Sequence, residues 1–281
     1  MDLGEIKVEQ LSEGFFELFE DGHFQKMERS RLKNLQDDPN LGTYTSAVGI
    51  DPVLIQNEKH IIVADPGLGW GLDSGSRHSG TSNIRTNLDI FGLKPEDVDF
   101  VVLTHLHFDH VAGSTYVNEY FQTTPTFPNA RYIVHQDEWN FALQQIDLEK
   151  QPKGAGYQLD ELYRLIADGR IHMQKGDLLS ISDGIQCIKT GGHTPGHMIL
   201  RLTGKKEIAY YLGDLLPAEY HLNHYSMRQM DIDPNQAKKA KSLLLRQALR
   251  ENAIIFFYHS LFKKAGQLSR DRKKGYVLKD I

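Results

Sequence analysis

The stretch that decides the fold is Thr104-His105-Leu106-His107-Phe108-Asp109-His110, an HxHxDH motif directly after a short apolar run. Imidazole and carboxylate groups are side chains that bind zinc, iron and similar ions. Four such groups within six residues diverge too far to share one tetrahedral ion, but they can serve two adjacent ions. His105 and His107 point to the same side if the backbone is extended. The motif therefore predicts a site for two metal ions at the end of a buried strand.

Three further segments place a histidine or an aspartate at the end of an apolar strand or in a loop. They are Gly191-Gly192-His193-Thr194-Pro195-Gly196-His197, Tyr210-Tyr211-Leu212-Gly213-Asp214 and Phe256-Phe257-Tyr258-His259-Ser260. Open sheets tend to build their sites at these strand ends. Each residue alone is typical of a turn, a helix cap or a hydrogen-bonded structural group. Together with the HxHxDH motif, they become candidate metal ligands.

The order HxHxDH, His193, Asp214, His259 resembles the metallo-β-lactamase superfamily, and the resemblance runs from about residue 48 to residue 260. It implies an α/β protein, an αββα sandwich of two mixed β-sheets flanked by helices, with a two-metal site at one edge. Carried over residue by residue, it assigns metal one to His105, His107 and His193, metal two to Asp109, His110 and His259, and the bridging position to Asp214.

The same resemblance implies roles for residues beside the ligands. Asp65, at the end of a predicted strand, matches the superfamily's first motif, an aspartate that orients a ligand. His197 lies four residues past His193, but the family pattern makes His193 the ligand and leaves His197 a supporting or structural role. Thr104 and Thr194 are interpreted as groups that support ligands or close turns.

Within the superfamily, residues 92–99 (GLKPEDVD) resemble hydrolases related to quorum-quenching lactonases and methyl parathion hydrolase. That branch often carries a substrate-contacting Tyr three residues past the bridging Asp, where this chain has Pro217. Tyr220 and Tyr225 are the candidates to replace it. True β-lactamases are usually exported, and several carry a Cys where Asp214 stands. Antibiotic hydrolysis is therefore not expected.

The predicted function is a metal-dependent hydrolase in which a hydroxide bridging the ions attacks an ester-like bond. A lactone or a small carboxylic ester is the favoured substrate, and Asp109 and Asp214 are the predicted catalytic carboxylates. Two divalent metal ions are expected, with zinc preferred and manganese or iron also suited to these ligands. The alternatives are a phosphoesterase or organophosphate hydrolase on the same scaffold, and a non-hydrolytic metal-binding sensor.

Composition indicates which kinds of partner the protein binds and in which compartment it works. The chain has 281 residues, 40% hydrophobic and 25% charged, with a formal charge of −5, which are ordinary globular values. A pI near 6.2 and the lack of a basic stripe argue against nucleic-acid binding, and no apolar run reaches the length of a membrane span. With one cysteine, Cys187, and no leader pattern at the N-terminus, we expect a cytoplasmic protein whose partner is a small ester-like molecule.

No clear linker divides the chain, so we predict one domain over residues 1–281, with 1–45 as an N-terminal extension packed on it. The phenylalanines of that extension, Phe15, Phe16, Phe19 and Phe24, are interpreted as core packing, with a pocket lining as the alternative. They also suggest a homodimer, which a monomer at micromolar concentration in light scattering would contradict.

Hydrophobic patterning predicts alternating strands and helices. The predicted strands cover 53–55, 60–64, 100–103, 130–134, several short stretches between 171 and 211, and 254–258 as the final strand. The predicted helices cover 81–91, 137–146, 161–167 and 235–250.

Overall fold

Short apolar runs separated by turn residues become the strands of two central sheets. The structure is a computed structural model that describes residues 1–19, 23–36, 46–73, 83–146, 156–157, 159, 162–223 and 230–281. The strands are β1 Lys7–Gln10, β2 Gly14–Leu18, β3 Phe24–Lys26, β4 Ala47–Ile50, β5 Val53–Gln56, β6 Ile61–Ala64, β7 Phe100–Val102, β8 Thr115–Val117, β9 Thr123–Pro125, β10 Arg131–His135, β11 Ile171–Gln174, β12 Leu178–Ser182, β13 Ile185–Lys189, β14 Met198–Thr203, β15 Ile208–Tyr211, β16 Ile254–Phe256, β17 Ala265–Asp271 and β18 Gly275–Lys279. The helices are α1 Arg29–Gln36, α2 Ile84–Ile90, α3 Phe108–Val111, α4 Gln136–Ile146, α5 Leu162–Ala167 and α6 Pro234–Arg250.

Both central sheets are mixed. Over the described residues, the first has the strand order β1-β5-β6-β7-β10-β11, and the second has the order β12-β13-β14-β15-β16-β17-β18. Strands β6, β7, β10 and β11 run parallel to one another, and β15 runs parallel to β16, while the other pairs in these sheets are antiparallel. The carboxyl ends of β6, β7 and β10 therefore meet at one edge of the first sheet, and those of β15 and β16 meet at one edge of the second.

Residues that alternate along each strand pack into different layers, as the two-residue period of a strand requires. In β5, Val53 and Ile55 join the core between the two sheets, whereas Leu54 joins the outer layer under the helices. The inner core is completed from the second sheet by residues that include Leu200 and Phe256. Helices α2, α4 and α5 cover the first sheet and α6 covers the second, so the predicted αββα sandwich is confirmed.

The N-terminal segment contributes strands to two sheets. β1 pairs with β5 at the edge of the first sheet, and β2 pairs with β3 and β4 in a separate sheet. Phe16 is fully buried and meets the Trp70 ring edge-on at 4.9 Å, as expected for core packing. The division into one domain with an extension over 1–45 stays a prediction.

Helix α6 begins where the sequence places its start signals. Asp233 accepts hydrogen bonds from the backbone N–H groups of Asn235 and Gln236, and Pro234 occupies the first turn. The prediction for 81–91 is confirmed over Ile84–Ile90, where Asn83 caps the helix, while Thr81 and Ser82 lie outside the described residues. No helix in the described ranges is long and apolar enough to cross a membrane.

The prediction that 254–258 is the final strand is wrong. β17 and β18 follow it and extend the second sheet, with β17 antiparallel to both neighbours. These strands carry many polar residues, and only Gly266 and Leu268 of β17 are buried, with Leu268 in the layer under α6. A weak apolar alternation of this kind gives little strand signal in the sequence.

Candidate metal centre

The metal-binding candidates lie where the parallel strands of the two sheets end. β6 leads into Asp65, and β7 leads into the HxHxDH loop and α3. In the second sheet, β15 leads into Asp214 and β16 into His259. Because both edges meet at the same place, the seven candidate ligands come together although His105 and His259 are 154 positions apart in sequence.

The first of two groups of ligand-type side chains consists of His105, His107, His193 and Asp214, all buried, whose ligand atoms lie within 4.8 Å of one another. The Nδ1 atom of His107 lies 2.9 Å from Nε2 of His105 and 3.2 Å from Nε2 of His193. Three ring nitrogens therefore converge on one point, as a metal ion requires.

The second group consists of Asp109, His110 and His259, again within 4.8 Å of one another. The Nε2 atoms of His110 and His259 are 3.2 Å apart. Oδ2 of Asp109 lies 3.3 Å from Nε2 of His259. This group combines two imidazoles with a carboxylate, which is a donor set for zinc, manganese or iron.

The carboxylate of Asp214 lies between the two groups. Its Oδ2 is 3.3 Å from Nε2 of His193, while its Oδ1 is 3.4 Å from Nε2 of His110 and 3.3 Å from Nε2 of His259. Burial opposes ionisation of Asp214, but the His259 and His110 rings hold its pKa well below its usual range. One ionised carboxylate thus presents one oxygen to each group.

Hydrogen bonds on the outer side of the rings fix which nitrogen faces inward. The Thr104 hydroxyl donates to Oδ2 of Asp65 at 2.6 Å, so its oxygen accepts from Nδ1 of His105 at 3.1 Å. Nδ1 of His110 donates to Asp65 at 2.9 Å. Both rings consequently direct Nε2, and its lone pair when the ring is neutral, into the cluster.

His193 and His259 are oriented in the same way by acceptors that the sequence does not reveal. Nδ1 of His193 donates to Oδ1 of Asp231 at 3.0 Å, and Nδ1 of His259 donates to the Gly49 carbonyl at 2.8 Å. Asp231 sits just before the α6 cap, where an acidic residue is ordinary, and a backbone carbonyl leaves no trace in the sequence. These contacts depend on tertiary structure alone.

His197 contacts the centre through Asp214. Its Nε2 accepts a hydrogen bond from the backbone N–H of Asp214 at 3.0 Å, and its Nδ1 lies 2.8 Å from the Thr190 hydroxyl. A Cβ at Gly213 would lie 2.9 Å from the same Nε2, so the glycine permits this close approach. His197 is thus engaged on both ring nitrogens and belongs to neither group.

The electrostatics differ between the two groups. Burial and repulsion from neighbouring histidines lower the pKa of His105 and His107 well below the usual value, so both rings are neutral. For His110, burial is outweighed by Asp109, Asp214 and Asp65, and its pKa is raised. The carboxylates that attract a proton there would equally attract a cation, so the donor set fits metal binding.

Pro217 stands where the lactonase branch often has a substrate-contacting tyrosine, and here its backbone has a structural role. Its carbonyl accepts the backbone N–H of His259 at 2.9 Å, which ties the Asp214 loop to the second group. The Tyr220 ring packs on His221 with centroids 4.6 Å apart, and burial raises the pKa of Tyr220. Tyr225 lies outside the described residues.

A cluster of this kind on an αββα sandwich defines a class of protein. The sequence profile of the metallo-β-lactamase superfamily matches residues 47–259. The chain belongs to this superfamily.

The chain is also similar in sequence to individual proteins of known activity. Over 185 residues the chain is 27% identical to an N-acyl homoserine lactonase of Bacillus cereus, covering 65% of this chain and 64% of the relative. The chain thus spans less than two thirds of that relative's length.

Solved structures resemble nearly the whole chain. The crystal structure of hydrolase AbOPH of the β-lactamase superfamily has a TM-score of 0.76 at 26% identity, covering 99% of this chain and 95% of that one. The dizinc quorum-quenching lactonase AidC, in complex with a product, has a TM-score of 0.70, covering 100% and 96%. At 19% identity, the likeness to AidC shows the fold alone.

Proposed function

We propose that the protein is a metal-dependent hydrolase with a dinuclear centre that cleaves an ester-like bond in a small molecule. The observation that carries this proposal is the position of Asp214, whose two carboxylate oxygens face different groups of histidines. His105, His107 and His193 would hold one ion, Asp109, His110 and His259 the other, and Asp214 both. Zinc is the ion that we favour for these nitrogen and oxygen ligands.

When bound, such ions supply an activated water at neutral pH and polarise the oxygen of the scissile group. Acid–base catalysis is assigned to the two carboxylates of the centre, Asp109 and Asp214. The Asp109 side chain is 15% exposed and that of Asp214 is 9% exposed, whereas His105 and His110 are fully buried. The Asp109 carboxylate therefore reaches toward solvent. It takes up a proton released during attack and returns it to the leaving oxygen.

The favoured substrate class is lactones, with N-acyl homoserine lactones as the first to be tried. The likeness to the N-acyl homoserine lactonase of Bacillus cereus supports this choice. A second candidate is a phosphotriester, because the lactonase branch often carries a substrate-contacting tyrosine at the position where this chain has Pro217. The two candidates require the same centre and differ only in the contacts that recognise the substrate.

The test is to load the purified protein with Zn²⁺ or Mn²⁺ and measure kcat/KM on an N-acyl homoserine lactone and on a phosphotriester. A value above about 10⁴ M⁻¹s⁻¹ on the lactone, lost in Asp109→Ala, supports a lactonase. The matched control is Asp73→Asn, since the Asp73 carboxylate accepts the backbone N–H of Val117 and belongs to neither ligand group.

The outcomes separate the substrate from the centre. Activity on the phosphotriester alone would reject the lactone and retain the hydrolase. Negligible rates on both substrates with two ions bound would reject both substrate classes. A protein that binds neither metal would contradict the dinuclear centre itself.

A further inference from the structure

A buried carboxylate outside both groups links the loops that carry the first group of histidines. Glu138 lies in the first turn of α4, directly after β10, and is fully buried. The strand before α4, β10, ends beside β7, so the Glu138 side chain enters the same edge of the first sheet as the HxHxDH loop. The mechanism proposed above does not use this residue.

Each oxygen of Glu138 accepts a backbone N–H from a different loop. Oε1 accepts from Leu106 at 3.0 Å, 32 positions away, and Oε2 accepts from Gly196 at 3.1 Å, 58 positions away. Leu106 lies between His105 and His107, and Gly196 lies three residues past His193. One side chain thus links the loop that carries His105 and His107 to the loop that carries His193.

Close packing holds the loop that contains Gly196 against the start of α4. A Cβ at Gly196 would lie 2.2 Å from the backbone nitrogen of Glu138, so only glycine fits there. The side chains of Thr194 and Tyr157 lie close to the Glu138 carboxylate. The Tyr157 ring in turn lies 5.2 Å from the His107 ring.

The second group is held by other elements. His110 is hydrogen-bonded to Asp65 and stacks on the Tyr258 ring with centroids 4.0 Å apart. His259 is hydrogen-bonded to the Gly49 carbonyl. The contacts of Glu138 therefore fall on one side of the cluster. A glutamine of the same shape offers only one acceptor oxygen, so it could hold one loop but not both.

We propose that Glu138 is a positioning residue that sets the spacing of His105, His107 and His193 by clamping Leu106 and Gly196, and so determines the affinity of the first metal position. This inference rests on the proposed dinuclear centre. Mutation of a residue that holds a metal ligand in place typically changes metal affinity by about 10–100-fold. We expect a change of that size at the first position and little change at the second.

The experiment weakens the second position with Asp109→Ala, which removes one of its ligands, so that the tighter of the two zinc affinities reports the first position. Zinc affinity of this variant is measured by competition with a chromophoric chelator, with and without Glu138→Gln. We expect Glu138→Gln to weaken zinc binding by about 10–100-fold. The matched control is Asp137→Asn on the same turn, whose half-exposed carboxylate pairs with Lys189 and should leave the affinity within twofold.

The results distinguish the clamp from the centre. If the wild type binds no zinc, the proposed function fails and the clamp fails with it. If Asp109→Ala binds zinc equally well with and without Glu138→Gln, the clamp alone is overturned. Should Glu138→Gln not fold, amide exchange of the metal-free wild type decides, because slow exchange at both Leu106 and Gly196 supports the clamp and fast exchange at either overturns it.

Discussion

Buried carboxylates in this protein differ in how many hydrogen-bond donors meet them. Asp65, in the left-handed conformation at φ 48°, accepts from the Thr104 N–H, the Thr104 hydroxyl, the Tyr211 hydroxyl and His110. Four donors compensate the loss of water around a buried anion. Glu13 has fewer donors, and its Oε1 is buried with no hydrogen-bond partner among the described residues.

Glu13 should make folding stability pH-dependent. Burial raises the pKa of Glu13 from 4.5 to about 8, so the folded protein keeps a proton that the unfolded chain releases between these values. Its contribution is fully present below pH 4.5 and falls by roughly 1.4 kcal/mol per pH unit until pH 8. Urea unfolding of the metal-free protein at pH 5, 6.5 and 8 should show that Glu13→Gln gains stability relative to wild type as pH rises.

The control for this comparison is Glu96→Gln, an exposed carboxylate in the turn before β7. It should keep the same offset from wild type at every pH. Parallel pH profiles for wild type and Glu13→Gln would contradict the raised pKa of Glu13.

At the scale of elements, α6 stabilises the outer face of the second sheet. Leu244, Leu245 and Ala248 pack against residues of β14, β15 and β16, including Tyr210 and Ile255. The opposite face of the helix is exposed, and Leu243 there is 57% exposed. The helix is therefore fixed by one apolar stripe, as expected for an amphipathic surface helix.

Two neighbouring leucines of α6 test this packing with the same chemical change. Leu245→Ala should lower the free energy of unfolding by about 3 kcal/mol, because it leaves a cavity at a fully buried position. Leu243→Ala should change it by less than about 0.5 kcal/mol. Chemical denaturation with the m-value compared measures both, and equal losses in the two variants would show that α6 does not pack as described.

Elements with strong periodicity or start signals could be predicted from the sequence, and others could not. The Asp233-Pro234 start placed α6 to within one residue, and the apolar run before the HxHxDH motif placed β7. β17 and β18 lacked a comparable signal, because most residues of β17 are polar and the pairing of both strands depends on β16 being in place. Sheet edges are fixed by tertiary contacts rather than by local preference.

At the scale of the whole molecule, the centre joins both sheets, and β4 contacts it through the Gly49 carbonyl. The motif order alone pointed to the seven predicted ligands, and the structure brings all of them into the two groups. Their roles as ligands stay a prediction. Asp231, Gly49 and Glu138 could not be found in this way, because each reaches the centre through a fold contact and carries no motif.

Metal binding at such a centre should stabilise the entire fold. The ligands come from β7, β15 and β16 and from the loop before β14, so an ion would connect the two sheets directly. An ion present at about 1,000 times its Kd adds about 4 kcal/mol to the folded state. For a chain of this size one ion raises Tm by about 10 °C, and the two ions of the wild type raise it by about 20 °C. Calorimetry with and without a chelator measures this shift. Asp109→Ala, which retains the first group, should show roughly half of it, and an unchanged Tm of the wild type after verified metal removal would contradict a centre that bridges the sheets.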